Sequence, residues 1–408
     1  MHRKTRIAIA GAGIGGLTAA LALLQRGFQV DVYEQASVFG EVGAGIQLSA
    51  NGTRCLFALG LQQDVLRCAS QPSAKEIRHW STGNTWRLFD LGAESVERYG
   101  APFLMMHRAD LHGVLVQHIR AIRPEALHLG TRLTGMVQDP EGVVLRFEDG
   151  TVRRADVLVG ADGVHSRVRQ LLHGHDDPQY TGCMAWRGVI QASCLPEHLR
   201  RPVGTNWVGP GAHVITYPLR NGELMNFVGI VERADWQKES WTEQGTVAEC
   251  QADFQGWHPD VLTMVKRLDR PFKWALMGRA PLPRWSQGNV TLLGDACHPT
   301  LPFLAQGAMM AIEDGMVLAR CLDGCPEEPA TALQRYERLR HERTTAIVTK
   351  SAENTRRFHN PALASPEGAQ SYIETEWAPD KVRARYDWLF SYDALAVDAG
   401  AQVISEVA

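Results

Sequence analysis

Arg6-Ile7-Ala8-Ile9-Ala10-Gly11-Ala12-Gly13-Ile14-Gly15-Gly16-Leu17 is the stretch whose reading decides the fold. An apolar β run passes through a G-x-G-x-x-G spacing into the helix-forming Thr18-Ala19-Ala20-Leu21-Ala22-Leu23-Leu24, so the glycines fall at a strand-to-helix turn. Only in that context does the spacing point to phosphate binding. Gly11 permits the tight turn, Gly13 lets backbone approach a pyrophosphate, and Gly16 lets the helix close on the strand. The helix start at Ile14-Gly15 offers N–H groups to phosphate oxygens. A second strand, Gln29-Val30-Asp31-Val32-Tyr33, ends at Glu34, 18 residues beyond Gly16. A carboxylate there accepts hydrogen bonds from adenosine ribose hydroxyls and repels a 2′-phosphate.

Composition limits the partners. The chain has 408 residues, 45% of them hydrophobic, which is enough for a large core and two closely associated domains. A net charge of −3 with dispersed Lys and Arg carries no nucleic-acid footprint, and small molecules are the expected partners. Met1-His2-Arg3-Lys4 runs straight into the first strand, leaving no room for a cleavable signal, and no apolar run has the length of a membrane span. These features predict a cytoplasmic protein with no membrane association. Eight cysteines show neither a C-x-x-C nor a zinc spacing, so reduced thiols and no metal are expected.

Strand and helix signals alternate as far as about residue 175, with a helix predicted over 109–122 and a hairpin of strands 142–147 and 152–159. That hairpin leads into Val159-Gly160-Ala161-Asp162-Gly163, a second strand end where a sheet presents itself to a ligand. Residues 176–280 read as a mainly antiparallel substrate-binding domain. In it, Asn221-Gly222 suits the positive φ angles of a type I′ turn. The strand Asn289–Leu293 returns the chain to the first domain, making it discontinuous. The predicted organisation is α/β plus β: a Rossmann-like nucleotide domain in two parts (1–175, with some substrate-domain strands inserted, and 281–350), the inserted antiparallel domain, and a C-terminal helical segment (351–408). Helices are predicted over 308–321 and 330–351. The aromatics Trp377, Tyr386, Trp388, Phe390 and Tyr392 of the tail suit a core or a homodimer contact.

Three motifs in this order, the glycine loop with Glu34, Ala161-Asp162-Gly163 with Ser166 and Arg167, and Leu293-Gly294-Asp295-Ala296-Cys297-His298-Pro299, resemble those of the single-component flavoprotein aromatic hydroxylases, the group of 4-hydroxybenzoate and salicylate hydroxylase. The resemblance covers nearly the whole chain. It is strongest to the branch of 3-hydroxybenzoate 6-hydroxylase, salicylate 1-monooxygenase and 6-hydroxynicotinate 3-monooxygenase. It implies FAD as cofactor, with NADH or NADPH and O2 as co-substrates, in aromatic catabolism. The cofactor contacts it implies are Gly11, Gly13, Ile14, Gly15, Gly16, Glu34, Gln35, Gly45, Ile46, Arg108, Asp162, Gly294, Asp295, Pro302, Gly307 and Ala308. Asp295 would accept from ribityl hydroxyls. The helix opening near Ala308 would face the flavin edge where negative charge gathers on reduction. Gly43-Ala44-Gly45-Ile46-Gln47-Leu48 resembles the loop beside the isoalloxazine.

The implied reaction proceeds through a flavin C4a-hydroperoxide that attacks an electron-rich ring carbon. Because a phenol has a pKa near about 10, a group that takes its proton accelerates this step. His213 and Tyr217 lie four apart on a predicted strand and share one face. The resemblance assigns His213 to proton acceptance and Tyr217 to substrate orientation. It places Gln306 near substrate and flavin, and Pro302 close to the reacting flavin carbon. Gln47 stands where the hydroxynicotinate enzyme has a histidine, which favours a benzene-ring acid or phenol, such as 3-hydroxybenzoate or salicylate, over a pyridine. Trp186 and Arg187 could recognise a carboxylate, or could be packing plus a surface cation. Rival readings are an FAD-dependent reductase on the same scaffold, a plain NAD-dependent dehydrogenase and a non-catalytic flavin-binding module.

Overall fold

The computed structural model describes residues 5–40, 45–234 and 243–399. Gly43 and Ala44 of the loop singled out above lie outside them.

A five-stranded parallel sheet runs in the order Val290–Leu292, Val157–Gly160, Arg6–Ala10, Gln29–Tyr33, Leu127–His128. Ala10 pairs with Gly160 on one side and Tyr33 on the other, and Gly160 pairs with Leu292. The carboxyl ends of these four strands therefore stop at one level. The glycine turn, Ala161–Gly163 and Leu293–Asp295 all leave from that edge, the crevice in which parallel sheets bind ligands. The helix Ile14–Gln25 is buried along nearly its whole length, as its run of Ala and Leu dictates. It packs against the helix Gly307–Asp323.

The predicted strand 152–159 is two strands. Val152–Ala155 pairs antiparallel with Gly142–Phe147, whereas Val157–Gly160 joins the parallel sheet. Asp156 makes the break: its carboxylate accepts from the Arg6 backbone N–H at 2.7 Å and from the Arg6 guanidinium at 2.9 Å, turning the chain from one sheet into the other.

A seven-stranded sheet stands beside the first, in the order Phe272–Gly278, Gln179–Gln191, Leu224–Glu232, Ala212–Leu219, Val203–Gly209, Ala74–His79, Thr85–Asp90. All its pairings are antiparallel except that of Val203–Gly209 with Ala74–His79. Alternation assigns its faces. Ala212 and Val214 join Trp186, Trp207 and Phe227 under the helices Val247–Asp253 and Pro259–Lys266. Ile215, Tyr217 and Leu219 face the other way. Asn221 (φ 53, ψ 30) and Gly222 (φ 90) take left-handed conformations, closed by Glu223 N–H donating to Arg220 O at 3.1 Å. Arg220 at the same tip forms a two-pronged ion pair with Asp110 in the helix Arg108–Ile122, fastening the hairpin to the parallel-sheet side.

The helix predicted over 330–351 spans Pro329–Phe358, seven residues past its predicted end, and the helices Pro366–Glu376 and Pro379–Phe390 follow it. Its Arg340 is fully buried, pairing with Glu313 at 2.6 Å and Asp314 at 2.7 Å. Asp314 also accepts from His298 and from the Gly294 N–H. One buried ionic network thus ties this helix to the Gly294–His298 turn. Tyr386 and Phe390 pack on Phe89 of the chain's own seven-stranded sheet, so these tail aromatics serve its core.

Candidate active site

A single cleft lies between the carboxyl edge of the parallel sheet and the inner face of the seven-stranded one. Its sheet-edge wall is Gly13, Ile14, Gly15, Gly16, Leu293, Gly294 and Asp295, with Arg108 where the helix Arg108–Ile122 begins. Its floor is the loop and helix start at Pro302, Ala305, Gly307 and Ala308. The opposite wall is Gly45, Ile46, Gln47, Arg187, Ile215, Tyr217, Val228, Ile230 and Trp274.

The turn is shaped for a close ligand. Gly11 has φ +100, and a Cβ on Gly16 would stand 2.2 Å from the Gly11 carbonyl oxygen, so neither position admits a side chain. At Gly13 a Cβ would meet nothing within 4 Å, which leaves backbone facing open space. Glu34 sits at the loop, accepting from Ala12 N–H at 2.9 Å and Ala36 N–H at 2.8 Å. Gln35 beside it is exposed and outside the cleft. Asp295 is turned into the open space of the cleft, and the protein packed behind it pushes its carboxyl above the ordinary range by desolvation. No hydrogen bond from the described residues reaches that carboxylate, an acceptor set where hydroxyl donors of a ligand would lie. The open glycine backbone and this acceptor fit the two halves of FAD.

Asp162 does not serve the cleft. Its carboxylate accepts from Ser166 Oγ and from the backbone N–H groups of Arg167 (2.7 Å) and Val168 (3.1 Å), anchoring the start of the helix Arg167–His173. Its neighbours Ala161 and Gly163 line the wall instead. Gln306 is also redirected. It is buried, with its amide donating to Ser49 Oγ at 2.9 Å and accepting from Asn51 at 3.0 Å, so it fixes the loop and does not line the cleft.

His213 and Tyr217 share a sheet face but differ in access. Tyr217 lines the cleft, and burial pushes its hydroxyl pKa up, so it stays a neutral donor; it is hydrogen-bonded to Gln47. Gln47 in turn accepts from Lys75 Nζ at 2.9 Å. His213 lies one step deeper. Its same-face neighbour Ile215 and its cross-strand neighbour Ile230 line the wall, while its ring packs on Phe303, Phe358 and His359.

Strand register separates Trp186 from Arg187. Alternation along Gln179–Gln191 turns Trp186 outward, where its Nε1 donates to Asp253 at 2.6 Å, and turns Arg187 into the cleft over the Trp274 ring at 4.5 Å. Burial first, and then Arg108, lowers its pKa to about 10. The wall thus holds a desolvated cation near a phenol donor.

A profile of a family described as FAD binding domain matches residues 4–351. The chain belongs to that family. This FAD-binding protein is 40% identical over 397 residues to a 3-amino-4-hydroxybenzoate 2-monooxygenase of Streptomyces platensis, covering 97% of this chain and 98% of that one. It is 39% identical over 364 residues to 6-hydroxynicotinate 3-monooxygenase of Pseudomonas fluorescens (87% and 92% covered) and 35% identical over 392 residues to 3-hydroxybenzoate 6-hydroxylase of Polaromonas naphthalenivorans (95% and 96%). Among solved structures, Klebsiella pneumoniae HpxO complexed with FAD and uric acid superposes with a TM-score of 0.83 at 28% identity (95% and 97% covered). A salicylate hydroxylase substrate complex superposes at 0.78 and 27% (96% of each). The protein is a flavin-dependent aromatic monooxygenase with FAD as its cofactor. Among the described residues no helix is long and apolar enough to cross a membrane.

Proposed function

We propose that this flavoprotein hydroxylates a phenolic aromatic carboxylate, with NADH or NADPH as electron donor and O2 as oxidant. The observation that carries this reading is Arg187, a half-buried, partly desolvated cation in the wall that also holds Tyr217. The three relatives above are named for ring acids bearing a hydroxyl, the chemistry that this pair of groups would recognise.

Bound FAD would supply the activation of dioxygen and the delivery of one oxygen atom to an electron-rich ring carbon. The chain's own residues do the rest. Gly13 to Gly16 and Glu34 would hold the adenylate half, and Asp295 would accept from the ribityl chain. The positive end of the helix starting at Gly307 and Ala308 would stabilise negative charge on the reduced flavin. Arg187 draws the substrate carboxylate, and Tyr217, steadied by Gln47, orients the ring. A phenol seated over Ile215 and Ile230 would bring its hydroxyl toward His213, whose Nε2 has no hydrogen-bond partner among the described residues and is the proton acceptor. Gln47 favours a benzene ring over a pyridine.

The test is oxidation of NADH and of NADPH by the FAD-loaded protein across hydroxylated benzoates, salicylate and hydroxynicotinate, with products weighed after reaction under labelled oxygen. One labelled atom in the product of a benzoate supports the reading. Stimulated oxidation with no incorporation across the panel replaces it with a reductase, and incorporation only into hydroxynicotinate would move the substrate to the pyridine acids.

A further inference from the structure

We infer that His359 and Glu232 are positioning residues for His213: through a buried imidazole pair that ends on a surface carboxylate, they fix which nitrogen of His213 accepts a proton and carry that proton to solvent. The inference rests on the reading of His213 as the proton acceptor.

The chain of contacts is continuous. His213 Nδ1 lies 2.6 Å from His359 Nε2, and His359 Nδ1 lies 2.8 Å from Glu232 Oε1. Both imidazoles are buried, with side-chain exposure of 1% at His359, whereas the Glu232 side chain is 54% exposed. These residues come from separate elements, the strands Ala212–Leu219 and Leu224–Glu232 and the residue after the long helix Pro329–Phe358.

The tautomers follow from the ends. An ionised Glu232 only accepts, so His359 Nδ1 carries hydrogen. A neutral His359 then offers the Nε2 lone pair, His213 Nδ1 must donate to it, and His213 Nε2 is left with a bare lone pair. That atom is buried and has no partner among the described residues. An unsatisfied buried acceptor costs about 1–3 kcal/mol, and a substrate hydroxyl would remove this cost. Both rings are neutral: burial holds each below the ordinary histidine range, at His359 against the opposing effect of Glu232. Among the described residues the other groups facing the pair carry no charge. They are Phe303, Phe358, Val208 and Ile230, together with Cys183 opposite Glu232, whose thiol is pushed up to about 12 by burial and by that carboxylate.

Proton transfer along this path balances. The phenol O–H breaks as a His213 Nε2–H bond forms. The His213 Nδ1 proton passes to His359 Nε2, and the His359 Nδ1 proton passes to Glu232 and then to water. When the hydroxylated ring regains aromaticity its oxygen takes a proton back, and the reverse passage restores both tautomers.

The experiment uses FAD-loaded wild type, His359→Phe, Glu232→Gln and His213→Ala. Single-turnover hydroxylation is followed between pH 5.5 and 9, with flavin reduction recorded beside it. The probes are the hydroxylated benzoate that yields labelled product and its ring-fluorinated analogue, whose phenol ionises at lower pH. His359→Phe is expected to slow hydroxylation of the benzoate by about tenfold or more at neutral pH and to move the rise of its pH profile upward, with most of the rate recovered on the fluorinated analogue. Glu232→Gln should give a smaller loss with the same recovery. Equal slowing of both probes, or an unchanged profile in both variants, overturns the inference. If His213→Ala is slowed and recovered while the other two match wild type, only the relay fails. If His213→Ala is itself unaffected, the reading of His213 fails first. Should His359→Phe not fold, Glu232→Gln, altered at the surface, decides alone.

Discussion

Replacing Arg187 by Met tests the substrate class most directly. Met retains an unbranched apolar stem that can cover the Trp274 face and removes only the charge and its donors. In the protein that charge is costly: burial, aided by Arg108, lowers the guanidinium pKa from 12.5 to about 10. At ~1.36 kcal/mol per pH unit this is roughly 3 kcal/mol by which the wall disfavours the cation before substrate arrives. A carboxylate in contact recovers part of that energy and adds charge-assisted hydrogen bonds, so losing the guanidinium should cost an acid about 2–3 kcal/mol. Its Kd should rise about 30- to 150-fold. A hydroxybenzamide of the same shape should lose much less. Both ligands can be titrated against the flavin absorbance of the oxidised holoenzyme. Equal losses for acid and amide, or none for the acid, would refute carboxylate recognition by Arg187.

Asp295→Ala should release FAD on gel filtration and leave a pale protein, because no other described group replaces that acceptor; full retention of flavin would remove Asp295 from the cofactor site. Arg340→Met strands part of a buried ionic network, although Glu313 keeps Arg343 and Asp314 keeps His298. A loss of about 3 kcal/mol in urea unfolding is expected, and a loss under about 1 kcal/mol would show that the network is poorly coupled. Lys75, whose pKa burial lowers from 10.5 to about 8, gives a pH signature. Between those values the unfolded chain holds a proton that the folded chain has released, so this lysine's contribution to stability rises with pH from about 8 to 10.5. Urea midpoints of wild type minus Lys75→Met should show that slope, and a flat difference would contradict the burial of the ammonium.

What could be read from sequence was what depends on neighbours in the chain. The turn from Gly11 to Gly16, the strand ending at Glu34 and the left-handed pair Asn221-Gly222 are local choices, each with one stereochemical solution. Arg187 was harder, because whether a strand residue faces cleft or solvent depends on register against Leu224–Glu232 and Phe272–Gly278, which local propensity does not set. Asp162 shows the opposite failure: its match to a motif points to ligand contact, while Ser166 four residues on and the N–H groups of Arg167 and Val168 engage both carboxylate oxygens. Gln306 lost its assigned role to Ser49 and Asn51, over two hundred and fifty residues earlier in the chain. His359 carries no sequence signal, since only the return of the long helix Pro329–Phe358 brings it beside His213, 146 positions away.

The parallel sheet's edge strand, Val290–Leu292, bears on the order of events during synthesis. Gly160 meets Leu292, and the cleft takes walls from Gly13 through to Ala311. A growing chain therefore displays its glycine turn early but cannot enclose a flavin until some three hundred residues have left the ribosome, and such late, distant pairing slows folding. Flavin supply should thus influence yield at the end of translation rather than during it: a cell short of FAD would accumulate full-length, incompletely closed chains exposed to proteases, and not truncated ones.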